Sequence, residues 1–196
     1  MSNHLKNMLI EFIIPTYHRP APLTSMLASL VAQTDGHWLA NVVIDGNDHA
    51  TDVLDVINLF NDARIRHTIT DQRYNNFGHT PREIGKQMSE CDYIIMTGDD
   101  NYYTSNFVAE IRSVCNSKPG MIYWDMVHSH YDYAYFNCRP ATGQIDMGAF
   151  ATRRDLAQQI KLGVDYAADG GFVENFKTMF PAENIIKIEK VLFVHN

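Results

Sequence analysis

Asp99, Asp100 and Asn101 follow an apolar run that begins at Tyr93 and ends at Gly98, and a buried strand ending in adjacent carboxylates has a chemical use. Two unit charges about 4 Å apart repel by about 4 kcal/mol at an effective dielectric near 20. A divalent cation relieves that repulsion, and hard ions such as Mg²⁺ or Mn²⁺ prefer carboxylate oxygen. At the carboxyl end of a strand in an open α/β sheet, such a pair stands where ligands bind. The same tripeptide also suits a solvated turn that opens the next helix. Further polar residues close other apolar runs. Pro15-Thr16-Tyr17-His18-Arg19-Pro20 offers a hydroxyl at Thr16 and a fixed cation at Arg19, suited to a nucleobase or phosphate. Asp45 ends a second run, where a carboxylate can accept from a base N–H or a ribose hydroxyl. The stretch from Asn76 to Gly85 combines Gly78, Arg82 and a helix amino end, and helix amino ends and arginines both favour phosphate.

The elements that must position these residues read as alternating strands and helices. Leu9 to Ile14 is a short β-branched strand, and the helical spacing of Leu23, Met26, Leu27, Leu30 and Val31 follows Pro20 and Pro22. Trp38 to Ile44 is a second strand and Ile65 to Ile69 a third, separated by a helix carrying Val53, Val56, Ile57 and Phe60. Ile84 and Met88 mark another helix before the Tyr93 to Thr97 strand, and Phe107, Ile111 and Val114 mark one after it. This rhythm predicts a mostly parallel central sheet flanked by helices. From Gly120 to Tyr135 the chain turns aromatic and roughly alternating, which predicts mixed strands. Helices are expected at about 152–160 and 171–179, and a last strand over 185–194. With no linker, repeat or low-complexity stretch, residues 1–196 are expected to form one domain, with a first half to about 118 and a second from about 119.

Bulk properties exclude some classes. The net charge is −7 with 45% apolar residues, which argues against a broad nucleic-acid surface and for a globular core. No run of about 20 apolar residues predicts a membrane span. The segment before the first strand is too brief for a secretion signal. Cys91, Cys115 and Cys138 are odd in number and lack Cys-x-x-Cys spacing, which fits a reduced, cytoplasmic setting. No Walker lysine loop or Gly-x-Gly-x-x-Gly occurs.

Taken in order, Pro15 to Pro20 with Leu23, Val42 to Gly46, Asn76-x-Gly78 with Arg82 and Gly85, and Tyr93 to Asn101 resemble the family 2 glycosyltransferases. The resemblance spans nearly the whole chain and implies an α/β GT-A fold: a nucleotide-binding sheet followed by a small mixed-strand acceptor half. It implies that Pro15, Thr16, Tyr17, Arg19, Asp45, Asn76, Gly78, Arg82 and Asp99 serve the nucleotide. Asp100 falls on the usual metal-contacting position, for Mn²⁺ or Mg²⁺, and the first aspartate of the family motif is replaced by Gly98. Asp146-Met-Gly148-Ala149 resembles the segment shaping the donor-sugar and acceptor pocket, and Ala168-Asp169-Gly170 the one carrying the catalytic base, with Asp165 and Glu174 in reserve. His195, at the end of an apolar strand, matches a metal-binding histidine that several such enzymes place near their carboxyl end. The implied reaction moves a sugar with inversion from a nucleotide-diphosphate donor, a UDP-sugar by family frequency, to a glycan or other hydroxyl acceptor. A nucleotidyltransferase and a degenerate nucleotide-sugar-binding protein are the alternatives. The short acceptor half is compatible with a homodimer. His128 and His130 share a strand face and are read either as zinc ligands with Asp125 or Asp132, or as polar residues beside an acceptor cleft where Tyr131, Tyr133 and Tyr135 stack on a sugar.

Overall fold

The computed structural model describes residues 7–196, and every element below lies within them. Its first half is the expected alternation: β1 (Ile10–Thr16), α1 (Pro20–Val31), β2 (Trp38–Ile44), α2 (Ala50–Phe60), β3 (Ile65–Ile69), α3 (His79–Met88) and β4 (Tyr93–Met96). β1 pairs in parallel with β2 on one side and β4 on the other, and β2 pairs in parallel with β3. β1 is buried throughout, which a strand covered on both faces requires. Pro15 is tolerated in this central strand because the β4 pairing stops at Ile13, while Pro15 lies opposite Val43 of β2 alone. Pro20 supplies the fixed φ at the start of α1, whose Leu23, Met26, Leu27 and Leu30 are buried against the sheet.

The acidic tripeptide is held at both ends. β4 leads into it, and β5 (Tyr102–Tyr103), a strand too short to be visible in the sequence pattern, leaves it and pairs antiparallel with the last strand. After α4 (Phe107–Val114) come β6 (Met121–His128), β7 (Ala134–Phe136), β8 (Phe150–Arg153), α5 (Arg154–Ala157), α6 (Ala168–Met179) and β9 (Ile185–His195). The sheet has nine strands in the order β3-β2-β1-β4-β8-β6-β9-β5, with β7 beside β6. β8 runs antiparallel to both β4 and β6, while β6 and β9 are parallel. Two expected helices shift. Thr152 lies in β8, opposite Ile94 and Met121, so the helix expected from about 152 begins at Arg154 and is a single turn. The next begins at Ala168 and includes Asp169 and Gly170.

The two halves share one apolar core. Phe12 of β1 packs on Tyr103, whose ring lies 4.4 Å from Phe107 and 5.2 Å from Phe193 of β9, and Phe107 meets Trp124 at 4.7 Å. Aromatic contacts of this kind add about 0.5–1.5 kcal/mol each beyond area burial, so the carboxyl-terminal strand is anchored against the sheet of the first half. Among the described residues no helix is long and apolar enough to cross a membrane.

Candidate active site

One cleft of about 770 Å³ opens beyond the carboxyl ends of β1, β2 and β4 and is closed on its far side by the second half, a size and position typical of a small-molecule site. Its floor is the acidic pair. Asp99, only 3% exposed, accepts a 2.7 Å bond from the Thr16 hydroxyl on Oδ2 and a 2.9 Å bond from Arg19 Nη1 on Oδ1. The other arm of the same guanidinium donates to Asp100 Oδ2 at 2.8 Å. Burial pushes the Asp99 carboxyl up, as does Asp100, against the pull of Thr16, Arg19 and Arg82. Burial works to lower the Arg19 pKa, but the two carboxylates outweigh it and the net shift is upward. Gly98 has a steric reason to lack a side chain: a Cβ there would stand 2.8 Å from Asp100 Oδ1 and 3.0 Å from Asn101 Nδ2.

Asp45, at the end of β2, is buried and uses both oxygens: Oδ1 accepts from the Tyr74 N–H at 2.8 Å and Oδ2 from the Asn75 N–H at 3.0 Å. A carboxylate has about four acceptor positions, so it can hold this loop and still take a donor from a ligand. The loop is strained, with Asn75 and Phe77 in the left-handed region at φ 51° and 57°, at roughly 1–2 kcal/mol each. Gly78 at φ 76° ends it, and no side chain fits there, because a Cβ would lie 2.8 Å from Pro15. Arg82 reaches back from α3, donating Nε to the Thr97 carbonyl at 3.1 Å and Nη1 to the Phe77 carbonyl at 2.7 Å. Burial lowers its pKa, while Asp146, Asp99, Asp100 and Asp169 act to raise it; an arginine nonetheless stays charged. Arg73 stacks over the Tyr17 ring at 3.7 Å.

The second half contributes two carboxylates and a histidine cluster. Asp146 Oδ1 accepts from the Gly148 N–H at 2.7 Å, and its Oδ2 lies 3.7 Å from His195 Nε2. Asp169 sits in the first turn of α6 and accepts from the Gly170 N–H at 2.6 Å. It is not the cap residue of that helix, which is Ala167. Burial pushes its carboxyl up, and the nearby Asp146 adds to this. Parallel pairing of β6 with β9 sets His128 opposite His195, and their rings stack with centroids 4.0 Å apart. Desolvation, with His195 and His130 close by, pushes His128 down to about 4.

Of the residues expected at the site, Pro15, Thr16, Tyr17, Arg19, Asp45, Gly78, Arg82, Asp99, Asp100, Asp146, Asp169 and His195 all line this cleft. Asn76 does not: its side chain turns into α3, where it bonds Thr80 through Oγ1 at 2.6 Å and through the N–H at 3.2 Å. Gly148 and Ala149 lie behind the wall, the Gly148 carbonyl accepting from the Tyr103 hydroxyl at 2.8 Å and Ala149 fully buried. Asp125 is no zinc ligand, since it is pinned by the Cys138 N–H, the Tyr135 hydroxyl and Lys187 at 2.9 Å each. His128, His130 and Tyr131 do line the cleft, but Tyr133 and Tyr135 do not: their hydroxyls bond Asn196 and Asp125. The reserve acids are also elsewhere, Asp165 accepting from the Ala167 N–H and Glu174 pairing with Lys177. Sequence reasoning missed Arg73, Phe77 and Tyr166, all in the lining. Phe77 and Tyr166 are 70% and 80% exposed, and the signal for them was a large aromatic placed inside a glycine-bounded loop.

The donor types for a hard divalent ion are present in Asp100, Asn101 and His195, and Asp100 Oδ1 carries no protein hydrogen bond among those described. In the present arrangement a guanidinium bridges the acids instead. Among the described residues, the group of three or more side chains already drawn to metal-ligand spacing lies outside the cleft: His18, His49 and Asp52, with His18 Nδ1 2.9 Å from Asp52 Oδ2.

By sequence, no family model matches the chain and no curated protein matches it. By structure it superimposes on S. aureus TarS 1-349 with a TM-score of 0.78 at 15% identity, covering 96% of this chain and 60% of that one. The chain has the GT-A fold. The TarS complex with UDP-GlcNAc matches with a TM-score of 0.76 at 14% identity over 95% of this chain and 58% of that one. Mannosyltransferase PcManGT from Pyrobaculum calidifontis, in complex with GDP-Man and Mn²⁺, matches with a TM-score of 0.74 at 14% identity over 95% and 56%. The chain therefore spans about 60% of the length of the first of these GT-A structures.

Proposed function

We propose that this protein is a glycosyltransferase that takes a sugar from a nucleotide-diphosphate donor to a hydroxyl acceptor. The observation that carries the reading is the convergence of Asp45, Arg19, Arg82, Asp99, Asp100 and Asp169 on one cleft at the carboxyl ends of the parallel strands. Base and ribose lie along Pro15, Thr16, Tyr17 and Asp45, with Asp99 as the acceptor nearest the ribose hydroxyls. The diphosphate faces Arg82 and Arg19. Arg82 is fixed by two carbonyls, so its charge is in place before the ligand arrives and needs no reorganisation. A divalent ion, Mn²⁺ or Mg²⁺, would be held by Asp100 with His195, and when bound it would offset charge on the diphosphate.

Asp169 is the base. Its carboxylate takes the acceptor hydroxyl proton as that oxygen bonds to the anomeric carbon. The bond from that carbon to the diphosphate oxygen breaks, and its electron pair leaves with the nucleoside diphosphate. Attack from the face opposite the leaving group inverts the centre. A carboxyl raised by burial and by Asp146 is a stronger base than an exposed one. Asp146 shapes the donor-sugar pocket from the second half. Incubating the protein with UDP-GlcNAc or GDP-mannose and an acceptor panel tests this, with Asp169→Asn as the control. Transfer or donor hydrolysis that persists unchanged in Asp169→Asn removes Asp169 as the base.

A further inference from the structure

We propose that Arg19 is the resident cation of the Asp99–Asp100 pair, and that a nucleoside diphosphate must draw it away before a divalent metal ion can bind there. This deepens the reading of the cleft as a donor site and rests on it. The guanidinium fork spans both acids, 2.9 Å to Asp99 Oδ1 and 2.8 Å to Asp100 Oδ2. Asp99 Oδ2 is taken by the Thr16 hydroxyl at 2.7 Å. Three of the four carboxylate oxygens are thus already committed, and a metal ion approaching the fourth meets the positive charge of the bridging guanidinium a few ångströms away. Like charges at that range in a half-buried site oppose each other by several kcal/mol at an effective dielectric of about 20.

The two arginines of the cleft differ in how they are held. Arg82 is bound to backbone carbonyls of Thr97 and Phe77, and moving it would take a bond from the carbonyl of Thr97, a buried residue. The bonds described for Arg19 go only to the two carboxylates, and its side chain is 48% exposed and lines the cleft. Arg19 is therefore the mobile cation. A diphosphate offers its fork a matching pair of anionic oxygens, and turning to it frees Asp100 for the metal ion. Linkage makes the effect reciprocal: the factor by which the nucleotide raises metal affinity is the factor by which the metal raises nucleotide affinity.

The test measures Mn²⁺ binding to the full chain, by loss of the free-ion paramagnetic resonance signal, with and without saturating UDP. It compares wild type, Arg19→Gln, Arg19→Lys and Asp100→Asn. Wild type is expected to bind Mn²⁺ weakly alone and about tenfold or more tightly with UDP, within the usual range of coupling. Arg19→Gln is expected to bind Mn²⁺ alone about tenfold more tightly than wild type and to lose most of the gain from UDP. Arg19→Lys, which keeps the charge but not the fork, should fall between them, and Asp100→Asn should lose Mn²⁺ in both conditions. If Arg19→Gln binds Mn²⁺ alone no more tightly than wild type while wild type still binds UDP, Arg19 is not the barrier and the proposal fails with the donor site intact. If no form binds UDP with or without Mn²⁺, the donor reading itself fails.

Discussion

The two sides of the cleft are built differently. Beside the parallel strands several polar groups are already paired: Thr16 with Asp99, Asp45 with two backbone N–H groups, Arg82 with two carbonyls. On the opposite side the lining is looser. Tyr131 and Tyr166 are exposed, His128 stacks on His195 while His130 meets it edge-on, and the bond described for Asp169 goes to its own helix. Groups that are paired before a ligand arrives pay little ordering entropy when it binds. Under the proposed reading the pre-paired side receives the donor and the looser side the acceptor.

The sharpest way to break this contrast is Asp169→Asn. With Asp169 as the proposed base, its loss should lower turnover about 10²–10⁴-fold, and UDP affinity by calorimetry should be unchanged, because Asp169 belongs to the second half, away from the proposed nucleotide contacts. The same variant should melt higher at neutral pH. A carboxyl whose folded pKa is raised holds its proton more tightly when folded, so stability is lost as pH rises from the ordinary aspartate value through the raised one, and the loss is complete at neutral pH. On the nucleotide side, Asp45→Ala leaves the Tyr74 and Asn75 N–H groups without their acceptor, at about 1–3 kcal/mol. That should weaken UDP binding about tenfold or more, read by calorimetry, and lower the melting temperature as well.

The pH dependence separates the two sides next. In the proposed mechanism Asp169 acts deprotonated, so the acid limb of the rate profile should lie above the ordinary aspartate range, and Asp146→Asn should move it downward. His128, held down to about 4, is neutral in the folded chain where an exposed histidine would charge. The unfolded chain binds the extra proton between about pH 6.5 and 4, so stability falls as pH falls through that window, and His128→Phe should flatten the slope in thermal melts. The smallest effect is expected at Tyr135→Phe, which removes one bond to Asp125, about 0.5–1.5 kcal/mol, and should leave UDP binding unchanged.

Much of the parallel-strand side of the cleft is legible in the sequence because parallel strands advertise themselves: each is a continuous apolar run, and the cleft-lining residues are polar ones within a few positions of its end. Asp45, Thr16 and the Asp99–Asp100 pair are found that way. The second half gives weaker signals. β5 is two residues long, too short to show alternation, and Thr152 reads as helix because it precedes a run of helix-forming residues, although sheet pairing on both sides claims it. Asn76 illustrates a different failure. It stands in the right motif, but its amide is better satisfied by Thr80 than by a ligand. Contacts such as Arg19 to Asp100, or His128 stacked on His195, join residues far apart in the chain. Only the strand order and the β6–β9 register bring them together, and no local pattern encodes that register.

The most direct test of the donor site is calorimetric titration of UDP and of GDP, each with and without Mn²⁺. Saturable binding of at least one nucleoside diphosphate, tightened by Mn²⁺ and weakened by Asp100→Asn, is the predicted result. If neither nucleotide binds under either condition, the cleft is not a donor site, and the shared fold has been put to a different use.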